Sequence, residues 1–259
     1  MLWPNWFHFR KAPFLKGGID YRKSFGKILL YDNFQSNGYY VDNPQKFFLK
    51  RKDNKTINWF SGDENFFADL YEHHELIRDE LRSIASKNVL KNLAKIQDAK
   101  IILNIRRGKD FKDAQSAKDF TTKGAIRTPL NWFINTLKQI REVAGKDIPA
   151  LIISDGNATD LKEILSLPNI ALANTSSALA DLLLLSKAKI ILGSGGSSFT
   201  AWGSFLSKAI TLTIPGQSLQ WFKVSKDINQ HLVDVYSPES PNEEHLDKIK
   251  KIIFSELSE

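Results

Sequence analysis

A short run of serines and glycines, Ser194-Gly195-Gly196-Ser197-Ser198, follows the apolar stretch Lys189–Leu192 and precedes a helical pattern that starts near Ser198. A strand, a loop of small residues and the start of a helix together leave several backbone N–H groups without partners. The local potential at such a helix N-terminus favours an anion. We therefore expect this loop to bind a phosphate group.

Two arginines, Arg106 and Arg107, come directly after a second apolar stretch, Lys100–Ile105. Neighbouring side chains at the end of a strand point in different directions, so one guanidinium can address a ligand while the other braces the loop or reaches a second oxygen. Guanidinium groups suit phosphate because they stay charged and donate two parallel hydrogen bonds. A pair of solvated surface arginines is the alternative interpretation.

A carboxylate follows a third apolar stretch in the same way. Asp155 and Gly156 come after Ala150–Ser154. A carboxylate at this position can cap the following helix, or it can accept hydrogen bonds from a guanine edge or a ribose. Both interpretations remain open at the level of sequence.

Several kinds of site are disfavoured by what the sequence lacks. The serine-rich loop has neither the Gly-Lys-Ser/Thr ending of a P-loop nor the glycine pattern of a dinucleotide-binding turn. The sequence contains no Asp-x-Asp pair, and its five histidines form no two-histidine metal motif. Ser197 and Ser198 lack the surroundings of a nucleophile elbow. We therefore expect no metal and no cofactor, and positive charge must come from side chains.

The elements that position these residues alternate between short apolar strands and amphipathic helices, which is typical of βαβ units. Right-handed crossovers place every strand-to-helix loop at one edge of a parallel sheet, so the three loops should meet there. The fold class is therefore α/β with a Rossmann-type parallel sheet. Strands are predicted over Lys100–Ile105, Ala150–Ser154, Asn169–Ala173, Lys189–Leu192 and Ala209–Thr213, and helices over Pro129–Ala144, Thr159–Leu167, Ser177–Ala188, from near Ser198, and from Pro241 to about Leu257.

The first third of the chain has a different pattern. Residues 1–60 are rich in aromatic side chains and irregular, with a short strand predicted over Lys27–Tyr31. These aromatic residues can form a packed surface around a small core or line an acceptor cleft. A capping-box pattern at Ser61–Glu64 then starts a helix that is predicted to extend to about Lys95. We predict an N-terminal segment over residues 1–97 and a Rossmann-like C-terminal lobe over residues 98–259.

The composition limits the partners. The 259 residues carry a formal net charge of +7 and no cysteine, so the chain attracts anions but forms no disulfide or thiolate site. The lysines are scattered and no nucleic-acid-binding motif is present, so we expect no nucleic acid partner. No apolar run approaches the ~20 residues that span a bilayer. We expect a cytoplasmic protein, with peripheral contact at the inner face of the membrane left open.

Four segments resemble, in order and spacing, the donor-binding motifs of the GDP-fucose-dependent fucosyltransferase superfamily. This superfamily includes bacterial α-1,2-fucosyltransferases and the related α-1,6- and protein O-fucosyltransferases. The resemblance covers roughly residues 99–215. The segments are Asn104–Asp110 (NIRRGKD), Ile152–Gly156 (IISDG), Asp181–Ser186 (DLLLLS) and Gly193–Trp202 (GSGGSSFTAW).

The resemblance implies a GT-B-like glycosyltransferase with a Rossmann-type C-terminal lobe. The implied reaction is a metal-independent, inverting transfer of fucose from GDP-fucose to a hydroxyl of a glycan or glycolipid acceptor. Arg106, with Arg107 as a second candidate, would be catalytic on the diphosphate. Asp155 would contact the guanine, and Asp181 would lie in a supporting helix of this nucleotide-sugar-binding lobe. Gly156 would also belong to the donor-binding residues. The remaining donor-binding residues implied are Asp110, Ser194, Gly195, Gly196, Ser197, Ser198 and Phe199.

The chain departs from the family pattern at three points. Asn104 stands where the family usually has histidine, and Lys109 intervenes before Asp110. Family members normally begin with a strand and a glycine-rich loop ahead of a segment like Leu2–Trp6, where this chain starts, so we expect an incomplete or reduced N-terminal lobe. A glycosyltransferase that uses another nucleotide sugar and a non-catalytic nucleotide-binding module are the alternatives.

Overall fold

The computed structural model of the chain describes residues 27–31, 56–60, 66–68, 70–175 and 177–255. The chain divides into two compact units, and the second contains nearly all of the chain from Phe67 onward. In the first unit, β1 (Lys27–Tyr31) and β2 (Thr56–Phe60) pair in parallel. The sequence predicted β1 but not β2. The predicted capping box at Ser61–Glu64 lies outside the described residues.

The second unit is built on a six-stranded sheet in which all strands are parallel, in the order β5-β4-β3-β6-β7-β8. From β3 the chain adds β4 and β5 on one side, then returns to place β6, β7 and β8 on the other. This is the order of a doubly wound Rossmann sheet, so the predicted fold class is confirmed. The strands are β3 (Ile101–Ile105), β4 (Ala150–Ser154), β5 (Ile170–Leu172), β6 (Ile190–Gly193), β7 (Ile210–Thr213) and β8 (Val233–Val235).

Helices cover both faces of this sheet because successive side chains of a strand point to opposite faces. Ile101 and Leu103 of β3 belong to one apolar cluster, and Ile102 belongs to another. Both clusters are buried, so the sheet has two cores. The helices of the described residues are α1 (His74–Ile84), α2 (Lys87–Leu93), α3 (Asp119–Thr122), α4 (Leu130–Ala144), α5 (Lys162–Leu165), α6 (Ala178–Leu185), α7 (Ser198–Ser207) and α8 (Glu243–Ser255).

Local chemistry explains the helix ends that the sequence placed well. Ser177 caps α6 and Ser197 caps α7, each by accepting a hydrogen bond from the backbone N–H three residues later. Gly145 ends α4 in the left-handed conformation, with φ of 66°. These capping residues are visible in the sequence.

Three helix predictions need correction. The long helix toward Lys95 is divided, because Ala85 is extended and Ser86 caps a separate helix α2. The helix predicted over Thr159–Leu167 shortens to α5. The last helix starts at Glu243 and not at Pro241, because Asn242 Oδ1 accepts a hydrogen bond from the N–H of Glu244 at 2.9 Å. Ser86 and Asn242 thus set the starts of α2 and α8.

In the second unit, two short elements were not predicted, the strand β8 and the helix α3. Each is three or four residues long, too short to show a period. No helix within the described residues is long and apolar enough to cross a membrane. The division of the chain at residue 97 stays a prediction, although α1 and α2 lie in the same compact unit as the sheet.

Candidate functional site

The site lies where the direction of strand addition reverses, between the neighbouring strands β3 and β6. Ligands of open α/β sheets bind in the crevice outside the carboxyl ends of the strands at such a switch point. The backbone N–H of Arg106 donates a hydrogen bond to Oγ of Ser194 at 3.0 Å. The loops that follow β3 and β6 are thus joined.

The guanidinium of Arg106 lies at the centre of the site. Its Nη2 is 2.5 Å from Oδ2 of Asp110 and 3.1 Å from Oδ2 of Asp155. The guanidinium also lies over the ring of Phe111, with 5.1 Å from Cζ to the ring centroid. Its side chain is 25% exposed, so solvent and a ligand can reach it. The structure therefore brings Arg106, Asp110 and Asp155 into one cluster.

Asp155 braces the loop after β3. Its Oδ1 accepts a hydrogen bond from the N–H of Arg107 at 2.6 Å, and its Oδ2 faces Arg106. The carboxylate caps no helix in the described chain, so the capping interpretation is wrong. Gly108 allows this contact, because a Cβ there would lie 2.5 Å from Oδ2 of Asp155.

Arg107 points away from Arg106, as the sequence predicted for neighbouring residues at a strand end. Its Nη2 donates to the carbonyl of Thr128 at 3.1 Å. Burial and the nearby Arg127 lower the pKa of Arg107 below its usual value. Arg107 also lines a cavity of about 360 Å³ together with Asp160 and Glu163. This position of Arg107 fits a residue that braces the loop after β3.

Two of the three serine hydroxyls of the loop after β6 accept hydrogen bonds from the protein backbone. Ser194 is fully buried and its Oγ accepts from Arg106. Ser197 is also buried, and its Oγ accepts from the N–H of Thr200 at 3.3 Å. Ser198 is exposed, whereas Phe199 packs against an apolar cluster. Ser198 is therefore the hydroxyl of this loop that a ligand can reach most easily.

The backbone of this loop offers donors. Within the described part of the chain, the N–H groups of residues 195–199 have no hydrogen-bond acceptor. Gly196 adopts the left-handed conformation, with φ of 66°, as the chain turns into α7. These N–H groups lie at the positive end of a ten-residue helix. The arrangement can therefore hold an anion beside the loop of Arg106.

The sequence analysis did not identify Gln217, whose side chain packs against Gly195 of the serine-rich loop. It follows β7, and its Nε2 donates to the carbonyls of Phe120 at 2.7 Å and Lys123 at 2.9 Å. Gly195 packs directly on it, because a Cβ there would lie 2.1 Å from Cβ of Gln217. The sequence signal for Gln217 was the Pro215-Gly216 turn, which follows the apolar strand β7. The loop after β7 lies at the same edge of the sheet as the loops after β3 and β6.

Two further positioning residues were also missed. Arg127 donates from Nη2 to the carbonyl of Arg107 at 2.8 Å, which fixes the loop after β3. Asn104 donates from Nδ2 to Oγ1 of Thr200 at 2.7 Å in the core between β3 and α7. Asn104 stands where the fucosyltransferase motif usually has histidine. In this chain the side chain at that position joins β3 to α7.

The fold and the site define a doubly wound α/β protein with cationic and N–H donors gathered at its switch point. No family model matches the chain, and no curated protein sequence matches it. Among solved structures, UDP-GlcNAc 2-epimerase from Methanocaldococcus jannaschii, in complex with UDP-GlcNAc and UDP, is 16% identical with a TM-score of 0.43, and the match covers 80% of this chain and 50% of that one. The wall teichoic acid polymerase TagF is 11% identical with a TM-score of 0.32, and the match covers 88% and 50%.

The chain spans about half the length of these solved structures. At such TM-scores, the similarity assigns neither a family nor a function to this chain. The fold class follows from the strand order of the sheet, and the chemistry must be argued from the site itself.

Proposed function

We propose that the protein is a glycosyltransferase that binds the diphosphate of a nucleotide sugar between the loop of Arg106 and the N-terminus of α7. The observation that carries this proposal is the hydrogen bond from Arg106 to Ser194, which unites those two loops at the switch point. GDP-fucose is the proposed donor. Its choice rests on the resemblance of four sequence segments to the donor-binding motifs of fucosyltransferases.

In the proposed reaction, an acceptor hydroxyl oxygen forms a bond to the anomeric carbon of the sugar. The bond from that carbon to the diphosphate breaks, the diphosphate keeps the electron pair, and the proton of the acceptor hydroxyl passes to solvent water. Arg106 and the N–H groups of residues 195–199 then face the negative charge that develops on the leaving group. Preorganised donors of this kind are usually the largest contribution to catalysis. They supply the positive charge that a metal ion supplies in other transferases.

Asp110 and Asp155 play unequal parts in this proposal. Asp155 is 30% exposed and holds both the backbone of Arg107 and the guanidinium of Arg106, so it orients the cation. Asp110 is 61% exposed, and its carboxylate pairs with the guanidinium of Arg106. A phosphate that binds Arg106 can displace the Asp110 side chain into solvent. A guanine contact by Asp155 would have to use the remaining lone pairs of its oxygens.

Thermal unfolding in the presence of nucleotides tests the proposal. GDP at millimolar concentration, with a chelator present, should raise the melting temperature more than UDP or ADP, because a ligand that binds only the folded state stabilises it. Equal shifts with UDP would favour another nucleotide-sugar donor. No shift with any of the three would contradict nucleotide binding at this site.

Turnover separates an enzyme from a binding module. A glycosyltransferase should hydrolyse its donor slowly in the absence of an acceptor, and this reaction can be followed by the release of GDP from GDP-fucose. A protein that is stabilised by GDP but neither transfers nor hydrolyses would be a non-catalytic nucleotide-binding module.

A further inference from the structure

A groove of about 460 Å³ lies beside Arg106, and its walls come from the segment between β3 and α4. The segment doubles back on itself. The N–H of Lys112 donates to the carbonyl of Ala125 at 3.0 Å, and the N–H of Arg127 donates to the carbonyl of Lys112 at 2.8 Å. This pairing holds the two walls at a fixed distance, so the groove is a formed feature of the fold.

The floor of the groove is apolar. Phe111 and Ile126 line it, and they are 5% and 3% exposed. Only a small part of each side chain therefore faces the groove, where it forms a narrow apolar strip along which the edge of a sugar ring can lie. The floor therefore suits a ligand with both apolar and polar faces.

The rim of the groove is cationic. Four of the lining residues are cations, namely Lys109, Lys112, Lys123 and Arg127, and Asp113 is the single carboxylate among them. Lys123 pairs with Asp119 at 3.0 Å, and Arg127 pairs with Asp113 at 3.2 Å. The ammonium groups of Lys109 and Lys112 are exposed and have no acceptor among the described residues. The uncompensated positive charge thus resides on these two lysines.

The groove begins at the proposed diphosphate position. The ring of Phe111, which lines the groove, lies under the guanidinium of Arg106 at 5.1 Å. Asp110, which contacts the same guanidinium, lies between the groove residues Lys109 and Phe111 in the chain. A molecule in the groove is therefore adjacent to the cation that would hold the donor.

We propose that this groove is an acceptor subsite and that it selects glycans carrying carboxylate or phosphate groups. This inference rests on the proposed glycosyltransferase function. The sugar ring would pack on Phe111 and Ile126, and its anionic substituent would face Lys109 and Lys112. Charge complementarity favours this ligand over a neutral glycan.

Calorimetric titration of the whole protein at low salt, without nucleotide, tests the proposal. The probes are trigalacturonate for carboxylates, glucose 6-phosphate for phosphates, and maltotriose as the neutral comparison. We expect at least one anionic probe to bind more tightly than maltotriose, and its affinity to fall as salt is added. Comparison of the two anionic probes shows which charged group the groove prefers.

Matched lysine variants locate the binding. Lys109→Gln and Lys112→Gln should each weaken binding of the preferred anionic probe by about two- to fivefold, as expected for loss of one exposed charge contact. The double variant should weaken it by about 4- to 25-fold if the two contacts are independent. Lys138→Gln, at an exposed position of α4 that does not line the groove, should leave the affinity unchanged.

Four results would overturn the inference. The first is equal binding of maltotriose and the anionic probes. The second is unchanged binding of the anionic probe by the double variant. The third is displacement of the probe by GDP, which would make the groove part of the donor site. The fourth is tighter binding of a short RNA than of either anionic probe, lost in the double variant, which would assign the surface to nucleic acid. Failure of GDP to stabilise the protein would reject the donor proposal alone, because the direct titrations of the three glycan probes contain no nucleotide.

Discussion

The backbone N–H of Arg106 donates to Oγ of Ser194, and these residues are 88 positions apart in the chain. The contact exists because β3 and β6 are neighbours in the sheet, with Asn104 of β3 opposite Gly193 of β6. Asp155 joins the same cluster from the end of β4. Three loops that are distant in sequence therefore meet in one site around the guanidinium of Arg106.

The two arginines should have separable effects. Arg106→Ala should weaken GDP binding by about tenfold or more, because it removes a charged donor from the proposed diphosphate position. Its effect on stability should be about 1 kcal/mol or less, since its ion pairs are partly exposed. GDP titration and urea unfolding of the same variant measure the two effects.

Arg107→Ala serves as the comparison for that variant. Its guanidinium donates to the carbonyl of Thr128, so its removal should cost about 1–2 kcal/mol of unfolding free energy. It should leave most of the GDP-induced stabilisation intact. The assignment would be reversed if Arg107→Ala abolished GDP binding while Arg106→Ala did not.

Asp110→Asn should increase the affinity for GDP or pyrophosphate by about two- to fivefold, because an exposed carboxylate no longer competes for the guanidinium of Arg106. Asp113→Asn is the control, since Asp113 pairs with Arg127 and not with Arg106. Calorimetric titration of both variants with GDP measures the difference. A loss of affinity in Asp110→Asn alone would show that this carboxylate takes part in ligand binding.

Gly195→Ala should destabilise the protein by about 2–3 kcal/mol through overpacking. The new Cβ would lie 2.1 Å from Cβ and 2.3 Å from the carbonyl oxygen of Gln217. Gly124→Ala is the matched control, because its Cβ would meet no atom within 4 Å. Urea unfolding should show that Gly124→Ala does not lower the free energy of unfolding. A gain of about 0.4–1 kcal/mol is expected where alanine adopts the native backbone conformation, because alanine restricts the unfolded chain. Similar stabilities for the two variants would contradict the tight contact with Gln217.

The stability gained by Asp181→Asn should depend on pH. Burial raises the pKa of Asp181 to about 6 from 3.8, although Thr175 donates a hydrogen bond to its carboxylate. Because the folded pKa lies above the unfolded one, ionisation destabilises the native state as pH rises from about 4 to about 6. The variant should therefore be more stable than the native chain by about 1–3 kcal/mol at pH 7.5 and nearly equal to it at pH 4.

Urea unfolding at both pH values checks this prediction. Asp247→Asn, at an exposed position of α8, should change stability by less than about 0.5 kcal/mol at either pH. A gain for Asp181→Asn that is the same at pH 4 and pH 7.5 would show that ionisation is not its cause.

The sequence predicted the elements whose signals are local. Apolar runs located the strands β3 to β7 of the parallel sheet, and Gly145 and Ser177 located helix ends. The break between α1 and α2 was not predicted because the apolar spacing from Leu81 continues across Ala85. The extended backbone at Ala85 shows that this continuous apolar spacing belongs to two separate helices, α1 and α2.

The sequence by itself determined the types of the site residues and, through the handedness of crossovers, the edge of the sheet where they lie. Only the tertiary structure decided their partners. It paired Arg106 with Asp155, turned Arg107 toward Thr128, and placed Gln217 against Gly195. Side-chain direction and strand order depend on packing between segments tens of residues apart, and no local pattern encodes those contacts.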